Sequence, residues 1–351
     1  IIRFMNIFKF SKLKLPIIQA PMAGGFNTPE LASVVANSGG VGSFGFSFTS
    51  PEKIDEILNI TNKLTSGFIN ANFFVFKPVK LPKKEYQEEA ILAIKNLSLD
   101  EKYEINVPEE PFYYDLESQI EATLKNLPSI ITFHLGIPSI NIIKKTQSLG
   151  IKVGITATNT TEAKSIENVG ADFIVAQGIE AGGHRGIFNQ EDIDEKIKLD
   201  NLLIKILENV SLPVVAAGGI MEGKHIKRVT NIGAKAAQLG TAFLTCTEAG
   251  TSKIHKHYLL NEQRRKTKIT KAFSGRMARG INNKFIEEMS GKKIFPFPIQ
   301  NSVTTPLRKV SQNKNNGEFI NLWAGTNFNK VRDLSAKELL KKLAEEFKAE
   351  N

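Results

Sequence analysis

The sequence predicts a (β/α)8 TIM barrel, an α/β fold in which eight parallel strands alternate with helices. Eight short apolar runs rich in Val, Ile, Phe and Ala recur along the first 245 residues, which is typical of parallel strands covered on both faces. Amphipathic segments separate them, as crossover helices would. The runs occupy residues 16–22, 41–46, 68–75, 129–136, 152–158, 171–179, 213–220 and 236–244.

An open, doubly wound sheet is the main alternative. That fold carries a G-x-G-x-x-G motif after its first strand and an acidic residue about 20 positions later. Here the first run leads into PMAGGFNTPE, which does not match that motif. The barrel is therefore favoured.

Capping signals bound several helices between and after the runs. A helix over residues 28–37 is expected to stop at the Ser-Gly-Gly that follows it. Residues 160–169 open with TTEA, a capping-box pattern in which a threonine would cap the helix. Residues 335–348 open with SAKE, a second capping box, and their Leu and Phe spacing gives one apolar face.

Two segments interrupt the alternation of strands and helices. Residues 77–114 are long, charged and aromatic, and they predict an insertion after the third strand that is partly helical and a candidate lid. Residues 246–351 predict a helical extension that packs on the barrel. We therefore expect a barrel domain over residues 1–245 and an extension that belongs to the same functional unit.

Composition excludes several classes of protein. With 351 residues, 41% hydrophobic and 23% charged, the chain is neither disordered nor a small disulfide scaffold. It has no apolar stretch of the ~20 residues that cross a bilayer, and its first ten residues lack a secretory apolar region. Its one cysteine, Cys246, cannot form an internal disulfide, which fits a reducing compartment. We expect a cytoplasmic protein without a membrane partner; a homo-oligomer stays an open alternative.

The net charge of +10 raises the question of a nucleic-acid partner. The cations are 37 lysines and 9 arginines, and they are scattered beside acidic residues. Because arginine is preferred for bidentate contacts with phosphates and bases, this pattern favours a solvated surface. We expect no nucleic-acid partner, although a basic surface attracts small anionic substrates.

Glycine-rich segments follow the last three predicted strands, where the active site of such a barrel lies. Gly182-Gly183, Gly218-Gly219 and Gly240-Thr241 can bring bare backbone amides close to a ligand. Such amides form a phosphate cradle without any lysine. The alternative is that these glycines only permit tight turns and close packing. Three such segments at one end of the barrel favour ligand binding.

His184 and His134 are the candidate catalytic residues. His184 lies in the glycine-rich loop after strand six, and His134 ends strand four. Histidine can remove a proton near neutral pH or donate a hydrogen bond to a developing anion. The alternative for a single loop histidine is a solvated side chain. His225, His255 and His257 lie in polar helical contexts, and we expect them on the surface.

Metal and serine-nucleophile chemistry have little support. One cysteine and scattered histidines give no zinc spacing, and no G-x-S-x-G elbow appears. We therefore expect no metal site. Met22 lies at the barrel mouth, where it can pack on a flat ring or on its neighbours.

At these motifs the chain strongly resembles the nitronate monooxygenases, formerly called 2-nitropropane dioxygenases, which are FMN-dependent TIM-barrel enzymes. The resemblance covers nearly the whole chain except residues 77–114. It runs in order through PIIQAPMAG, ANSGGVGSFG, FINANFF, ITFHLGIP, GITATNTTEA, GADFIVAQGIEAGGHRG, PVVAAGGI, AQLGTAFL, ITKAFSGRMARGI, PIQNSVTTPLR and NLWAG.

The resemblance implies a set of residues for each role. His184 would act as base for neutral nitroalkanes and help to place the anionic nitronate, with O2 as co-substrate and a carbonyl compound and nitrite as products. Asn72 and Gln177 would hydrogen-bond the flavin ring. FMN would be held by Met22, Asn72, Gln177, Gly182, Gly183, Gly218, Gly219, Gln238, Leu239, Gly240 and Thr241.

One departure bears on the substrate. Where relatives commonly carry tyrosine in a YP element, this chain has Phe295 and Phe297, each followed by proline. If that tyrosine contacts substrate, its hydroxyl is missing here. The preference among small alkyl nitronates, propionate 3-nitronate being a natural candidate, is then open.

Two other functions are alternatives to nitronate oxidation. The flavin-dependent enoyl-ACP reductases are similar through EAGGH, AAGG and the flavin cradle, and such an enzyme would use NAD(P)H. The segments SGRMARGI, NLWAG and FHLGIP resemble the monooxygenases better. The third hypothesis is a flavin-binding protein without efficient turnover.

Overall fold

The computed structural model describes residues 7–97 and 103–349. Eight parallel strands close into a barrel, which confirms the predicted fold class. Residues 1–6, 98–102 and 350–351, which belong to the predicted barrel domain, insertion and extension, lie outside the described residues. The barrel strands are β1 (Ile17–Gln19), β2 (Val41–Gly45), β3 (Phe68–Phe74), β4 (Ile130–His134), β5 (Lys152–Ala157), β6 (Phe173–Gln177), β8 (Val214–Ala217) and β9 (Ala236–Leu239).

The barrel closes through parallel pairing of β1 with β9, where Ile18 lies opposite Gln238. Apolar side chains of the strands and of the surrounding helices form a continuous core. Gly42 permits one close contact, because a Cβ there would lie 2.1 Å from the carbonyl oxygen of Ala32 in the first helix.

Helices follow the strands and continue into the extension. None of the helices in the described part of the chain combines the length and apolarity needed to cross a bilayer. The helices are α1 (Pro29–Asn37), α2 (Pro51–Leu64), α3 (Lys84–Lys95), α4 (Leu116–Leu124), α5 (Ile140–Ser148), α6 (Thr160–Asn168), α7 (Leu199–Leu207), α8 (Gly223–Ile232), α9 (Lys253–Asn261), α10 (Lys284–Glu288), α11 (Ile299–Val303), α12 (Thr305–Asn313) and α13 (Ala336–Ala349).

The predicted capping boxes have different outcomes. At α13 the box is complete, since Ser335 Oγ accepts the backbone N–H of Glu338 and the Glu338 carboxylate accepts the backbone N–H of Ser335. At α6 the cap is Asn159 rather than a threonine. Glu162 there accepts instead from Thr158, one residue before the cap.

The last barrel strand is shorter than the apolar run predicts. The run continues to residue 244, but β9 ends at Leu239 and the chain turns into a short 3-10 helix at Thr241–Phe243. Gly240 and Thr241 therefore lie at the rim of the barrel and not within a strand. This end of the run is apolar because the turn is buried.

A second, three-stranded sheet joins the barrel to the extension. It consists of β7 (Gly183–His184), β10 (Thr267–Thr270) and β11 (Ala278–Ile281). β7 lies in the loop after β6 and pairs antiparallel with β11, so that His184 is opposite Ala278. The loop with the candidate catalytic histidine is thus an edge strand of the extension's sheet.

The insertion and the extension share a hydrophobic core of their own. Ala90 and Ile94 of α3 pack there with Phe273, Phe285 and Phe295 of the extension. The rings of Phe273 and Phe285 stack with centroids 4.4 Å apart. The end of the extension returns to the barrel, where α13 packs on α8 and α1. We call the unit built on this second core the cap.

Candidate active site

A cavity of about 700 Å³ opens at the carboxyl end of the barrel strands. Residues from the barrel loops and from the cap line it together. Leu239, which was among the residues expected to hold FMN, does not line the cavity. Its side chain lies in the barrel core, and its carbonyl accepts the N–H of Ala20. The predicted residues that line the cavity are Met22, Asn72, His134, Gln177, Gly182, Gly183, His184, Gly218, Gly219, Gln238, Gly240 and Thr241.

The glycines after β8 and β9 form one corner of this cavity. Gly218 and Gly219 have φ values of +131° and +66°, which favour glycine. The structure records no hydrogen bond from the N–H of Gly219, Gly240 or Thr241 to any described residue. Amides left unpaired at a cavity wall are free to donate to water or to an anion such as a phosphate group.

The extension completes this corner. The Asn327 side chain donates to the carbonyl of Gly219 at 2.7 Å, and the Gly325 N–H donates to Thr241 Oγ1 at 3.0 Å. Neither contact was predicted. Gly325 is the last residue of the NLWAG segment and Asn327 lies two positions after it, so the glycine of that segment was the available sequence signal.

Two amides lie deeper in the cavity wall. Asn72 donates from Nδ2 to Thr132 Oγ1 at 2.9 Å, and Gln177 donates from Nε2 to the carbonyl oxygen of His184 at 2.9 Å. Because a side-chain amide carries two N–H groups, each keeps one donor for a ligand. These donors fit the ring oxygens of a flat heterocycle, and the thioether of Met22 lines the same cavity.

His184 is partly buried between aromatic rings of both units. The rings of Phe74, Phe297 and Trp323 have centroids 5.5 to 5.7 Å from its imidazole. Burial lowers the pKa of His184 to about 3, and the neighbouring His134, Arg276 and Arg308 act in the same direction. The imidazole is therefore neutral near pH 7.

Ser274 determines whether the free nitrogen of His184, Nδ1, carries a lone pair or a proton. His184 Nε2 lies 3.0 Å from Ser274 Oγ, which is itself 3.1 Å from the carbonyl oxygen of Arg276. A hydroxyl that donates to this carbonyl accepts from Nε2–H, which leaves a lone pair on Nδ1. A hydroxyl turned toward the ring donates to Nε2 and leaves a proton on Nδ1. Nδ1 has no recorded partner in residues 7–97 and 103–349.

His134 contacts the backbone of His184. Its Nε2 lies 3.1 Å from the carbonyl oxygen of His184, which also accepts from Gln177. A carbonyl only accepts, so Nε2 of His134 carries the proton. Burial lowers the pKa of His134 to about 4, which keeps it neutral as well.

Buried arginines hold the loop that carries His184. Arg185 is 1% exposed and forms a two-point ion pair with Asp194, at 2.9 and 3.1 Å. Its remaining nitrogen donates to both oxygens of Gln177 and to the carbonyl of Gly178. From the cap, Arg276 donates to the carbonyl of Ile187. The loop is thus rigid, and Arg185 is not a ligand-facing group.

A stack of aromatic rings runs outward from His184 to the insertion. Phe297 stacks on Phe76 with centroids 5.5 Å apart, and Phe76 stacks on Tyr113 at 4.5 Å. Of the two phenylalanines in the FPFP element, Phe297 contacts His184. The other, Phe295, is buried in the core of the cap. The rings of Phe74, Phe297 and Trp323 around the imidazole carry no hydroxyl.

The expectation for His255 was wrong. It is buried and its ring packs on Phe26, with centroids 5.7 Å apart, at the wall of the same cavity. Its lysine neighbours indicated a surface helix, but α9 turns this one face inward.

No group of three His, Cys, Asp or Glu side chains within residues 7–97 and 103–349 is arranged to hold a metal ion.

Comparisons with known proteins agree with one another. A family model described as nitronate monooxygenase matches residues 6–346. A probable nitronate monooxygenase of Staphylococcus aureus strain Newman is 38% identical over 324 residues, covering 89% of this chain and 88% of that protein. Nitroalkane oxidase from Streptomyces ansochromogenes superposes with a TM-score of 0.91 and 33% identity over 97% of each chain. FabK from Thermotoga maritima, at a TM-score of 0.75 and 21% identity over 97% of this chain and 95% of that one, shares the fold.

We predict that Arg185→Met lowers the free energy of unfolding by about 3–5 kcal/mol, because it leaves the buried Asp194 carboxylate without its partner. Urea unfolding measures this loss. The matched control is Arg228→Met, which removes an ion pair with Asp200 whose side chains are 49% and 40% exposed. That control should cost less than about 1 kcal/mol. Equal losses would contradict a supporting role for Arg185.

Proposed function

The chain belongs to the nitronate monooxygenase family of flavin-dependent oxidoreductases, and we propose that it binds FMN and oxidises small alkyl nitronates. O2 is the co-substrate, and the products are a carbonyl compound and nitrite. Propionate 3-nitronate is the leading candidate substrate. The observation that carries this proposal is a neutral, partly buried histidine beside a cavity whose far corner offers unpaired backbone amides.

FMN would occupy this cavity, whose volume of about 700 Å³ lies in the range of small-molecule and cofactor sites. We propose that the phosphate accepts from the amides of Gly219, Gly240 and Thr241, next to Gly218. Asn72 and Gln177 would donate their free N–H groups to the ring, with Met22 packed on its face. Gly182, Gly183 and Gln238 line the same cavity. FMN, when bound, supplies the electron acceptor for the nitronate.

His184 would handle both forms of the substrate through Ser274. With the hydroxyl of Ser274 accepting from Nε2–H, the lone pair on Nδ1 can take the acidic α-proton of a neutral nitroalkane. With the hydroxyl donating to Nε2, the N–H at Nδ1 can donate to an anionic nitronate. Since the pKa of His184 is about 3, it is a weak base, and the preformed nitronate should be the better substrate.

His134 would act as a positioning residue. It holds the carbonyl of His184 together with Gln177, so its effect on a substrate passes through the backbone of the loop. The surrounding rings of Phe74, Phe297 and Trp323 would exclude water from the bound nitronate.

The test of the function uses the purified holoprotein. We expect a flavin absorbance spectrum that bleaches when propionate 3-nitronate is added without oxygen, and oxygen uptake with nitrite release in air. A reductase of the enoyl-ACP type would instead oxidise NAD(P)H in the presence of an enoyl thioester, with no oxygen uptake from nitronate. Bound flavin that no nitronate bleaches would point to a binding protein without turnover.

His184→Ala should keep its FMN and lose activity, because the residue lies on the substrate side of the cavity. We expect kcat to fall by roughly a hundredfold or more, most sharply with neutral nitroalkanes, which need proton removal. Stopped-flow bleaching with nitroalkane and with nitronate measures the two effects. Loss of FMN with unchanged turnover per bound flavin would place His184 in the cofactor site instead.

Gly219→Asp should weaken FMN binding by about a hundredfold or more, because a carboxylate beside the phosphate repels it. Gly219→Asn is the matched control, since asparagine has the same shape and tolerates the positive φ best among other residues. Flavin content after dialysis and fluorescence titration of the apoprotein compare the two. Equal affinity of the Asp and Asn variants would refute the placement of the phosphate.

A further inference from the structure

A group of buried polar side chains lies inside the barrel next to the cavity. It consists of Ser43 of β2, Asn70 and Asn72 of β3, and Thr132 of β4, each no more than 4% exposed. Polar groups cost free energy when they leave water, unless hydrogen bonds replace the contacts that they lose. Because the interior of such a barrel is usually filled by branched apolar side chains, these four residues call for an explanation.

The strand pattern places the two asparagines inside the barrel. Ile69, Ala71 and Phe73 of β3 pack in the core that includes the surrounding helices. Since successive side chains of a strand point to opposite faces, Asn70 and Asn72 point inward. Asn72 lines the cavity, whereas Asn70, one turn of the pleat earlier, does not.

Hydrogen bonds join the four side chains into one chain. Asn72 Nδ2 donates to Thr132 Oγ1 at 2.9 Å, and Thr132 Oγ1 donates to Asn70 Oδ1 at 3.0 Å. Asn70 Nδ2 then donates to Ser43 Oγ at 3.3 Å. Each group therefore donates to the next one in the direction away from the cavity.

The other amide of the cavity wall is held in a different way. Gln177 Oε1 accepts from Arg185 and from the backbone N–H of Gly186. Its Nε2 donates to the carbonyl of His184. Because an N–H only donates and a carbonyl only accepts, the direct neighbours of this amide fix its orientation. For Asn72, the partner recorded in the described part of the chain is a hydroxyl, which can donate or accept.

The orientation of the Asn72 amide is therefore set one step further away, by Asn70. The Thr132 hydroxyl has a single proton, which it gives to Asn70 Oδ1, so that only lone pairs face Asn72. An Asn72 amide that turned over would direct Oδ1 at these lone pairs. The hydrogen bond would then be lost unless the groups of Thr132 and Asn70 turned as well. In the orientation present, Oδ1 and one N–H of Asn72 stay free for a ligand.

We propose that Asn70, acting through Thr132, holds the Asn72 amide in the orientation in which it binds the flavin ring. This rests on the FMN site of the proposed function. Asn70 does not line the cavity, so it is a positioning residue that acts through another side chain. The amide is already oriented before a ligand enters, which reduces the entropy lost when the ring binds.

The binding test measures the affinity of the full chain, freed of its cofactor, for FMN and for riboflavin by fluorescence titration. Asn70→Leu replaces the amide by an apolar side chain of similar shape and should weaken both ligands equally, roughly three- to tenfold. The factors are equal because both ligands carry the ring, whereas FMN alone carries the phosphate. Gly219→Asp is the comparison, since it should weaken FMN and spare riboflavin.

A double-mutant cycle separates positioning from a general loss of structure. Asn72→Ala should weaken both flavins, and the addition of Asn70→Leu to it should cause no further loss, because Asn70 acts through Asn72. A contribution of Asn70 to the barrel structure alone would weaken binding in both backgrounds.

Thr132 provides a second route to the same result. Thr132→Val keeps the shape, removes the hydroxyl and should repeat the loss, whereas Thr132→Ser should restore both affinities to within about twofold. The matched control is Thr123→Val, which removes a buried hydroxyl that donates to the carbonyl of Gln119 on α4. It should leave both affinities within about twofold of the unaltered chain. The melting temperature of each variant identifies any that is misfolded.

The outcomes separate this proposal from the function on which it rests. A loss from Asn70→Leu that persists in the Asn72→Ala background overturns the positioning role while the flavin site stands. So does flavin binding that Asn70→Leu and Thr132→Val leave unchanged. An unaltered chain that binds neither FMN nor riboflavin refutes the proposed cofactor and the positioning role together.

Discussion

The position of the His184 backbone is the constraint on which the site depends. Its peptide is paired with Ala278 in the sheet of the cap, and its carbonyl accepts from His134 and Gln177 of the barrel. The two units therefore fix one residue from opposite sides. Neither could shift without breaking hydrogen bonds at this residue, so the imidazole is set by the main chain before any ligand enters.

The walls of the cavity are therefore supplied by two units, the barrel and the cap, each with its own hydrophobic core. Barrel loops supply the unpaired amides and the two side-chain amides, which suit a cofactor. The cap supplies Arg308 and Trp323 to the wall of the same cavity, and its Ser274 lies 3.0 Å from His184. The basic residues of the cap region lower the pKa of His184, so the cap also influences the proton chemistry of a residue that belongs to the barrel.

Much of the barrel side could be predicted because its signals are local in the sequence. Buried parallel strands produce apolar runs, and glycines such as Gly218 mark backbone that approaches a ligand. The cap side could not be predicted in this way. Ser274 and Trp323 are brought to His184 by contacts between distant parts of the chain, and nothing within a few residues of them indicates a cavity. Leu239 shows the opposite problem. Its neighbours in the sequence line the cavity, but its own side chain lies in the barrel core.

Because the two hydrophobic cores are separate, substitutions in one core need not disturb the other. Substitutions in the second core can reshape the part of the cavity wall that the cap supplies, while the corner of backbone amides that the barrel loops supply stays unchanged. A change in what the cavity admits therefore needs only a few altered cap side chains around a histidine whose backbone stays fixed.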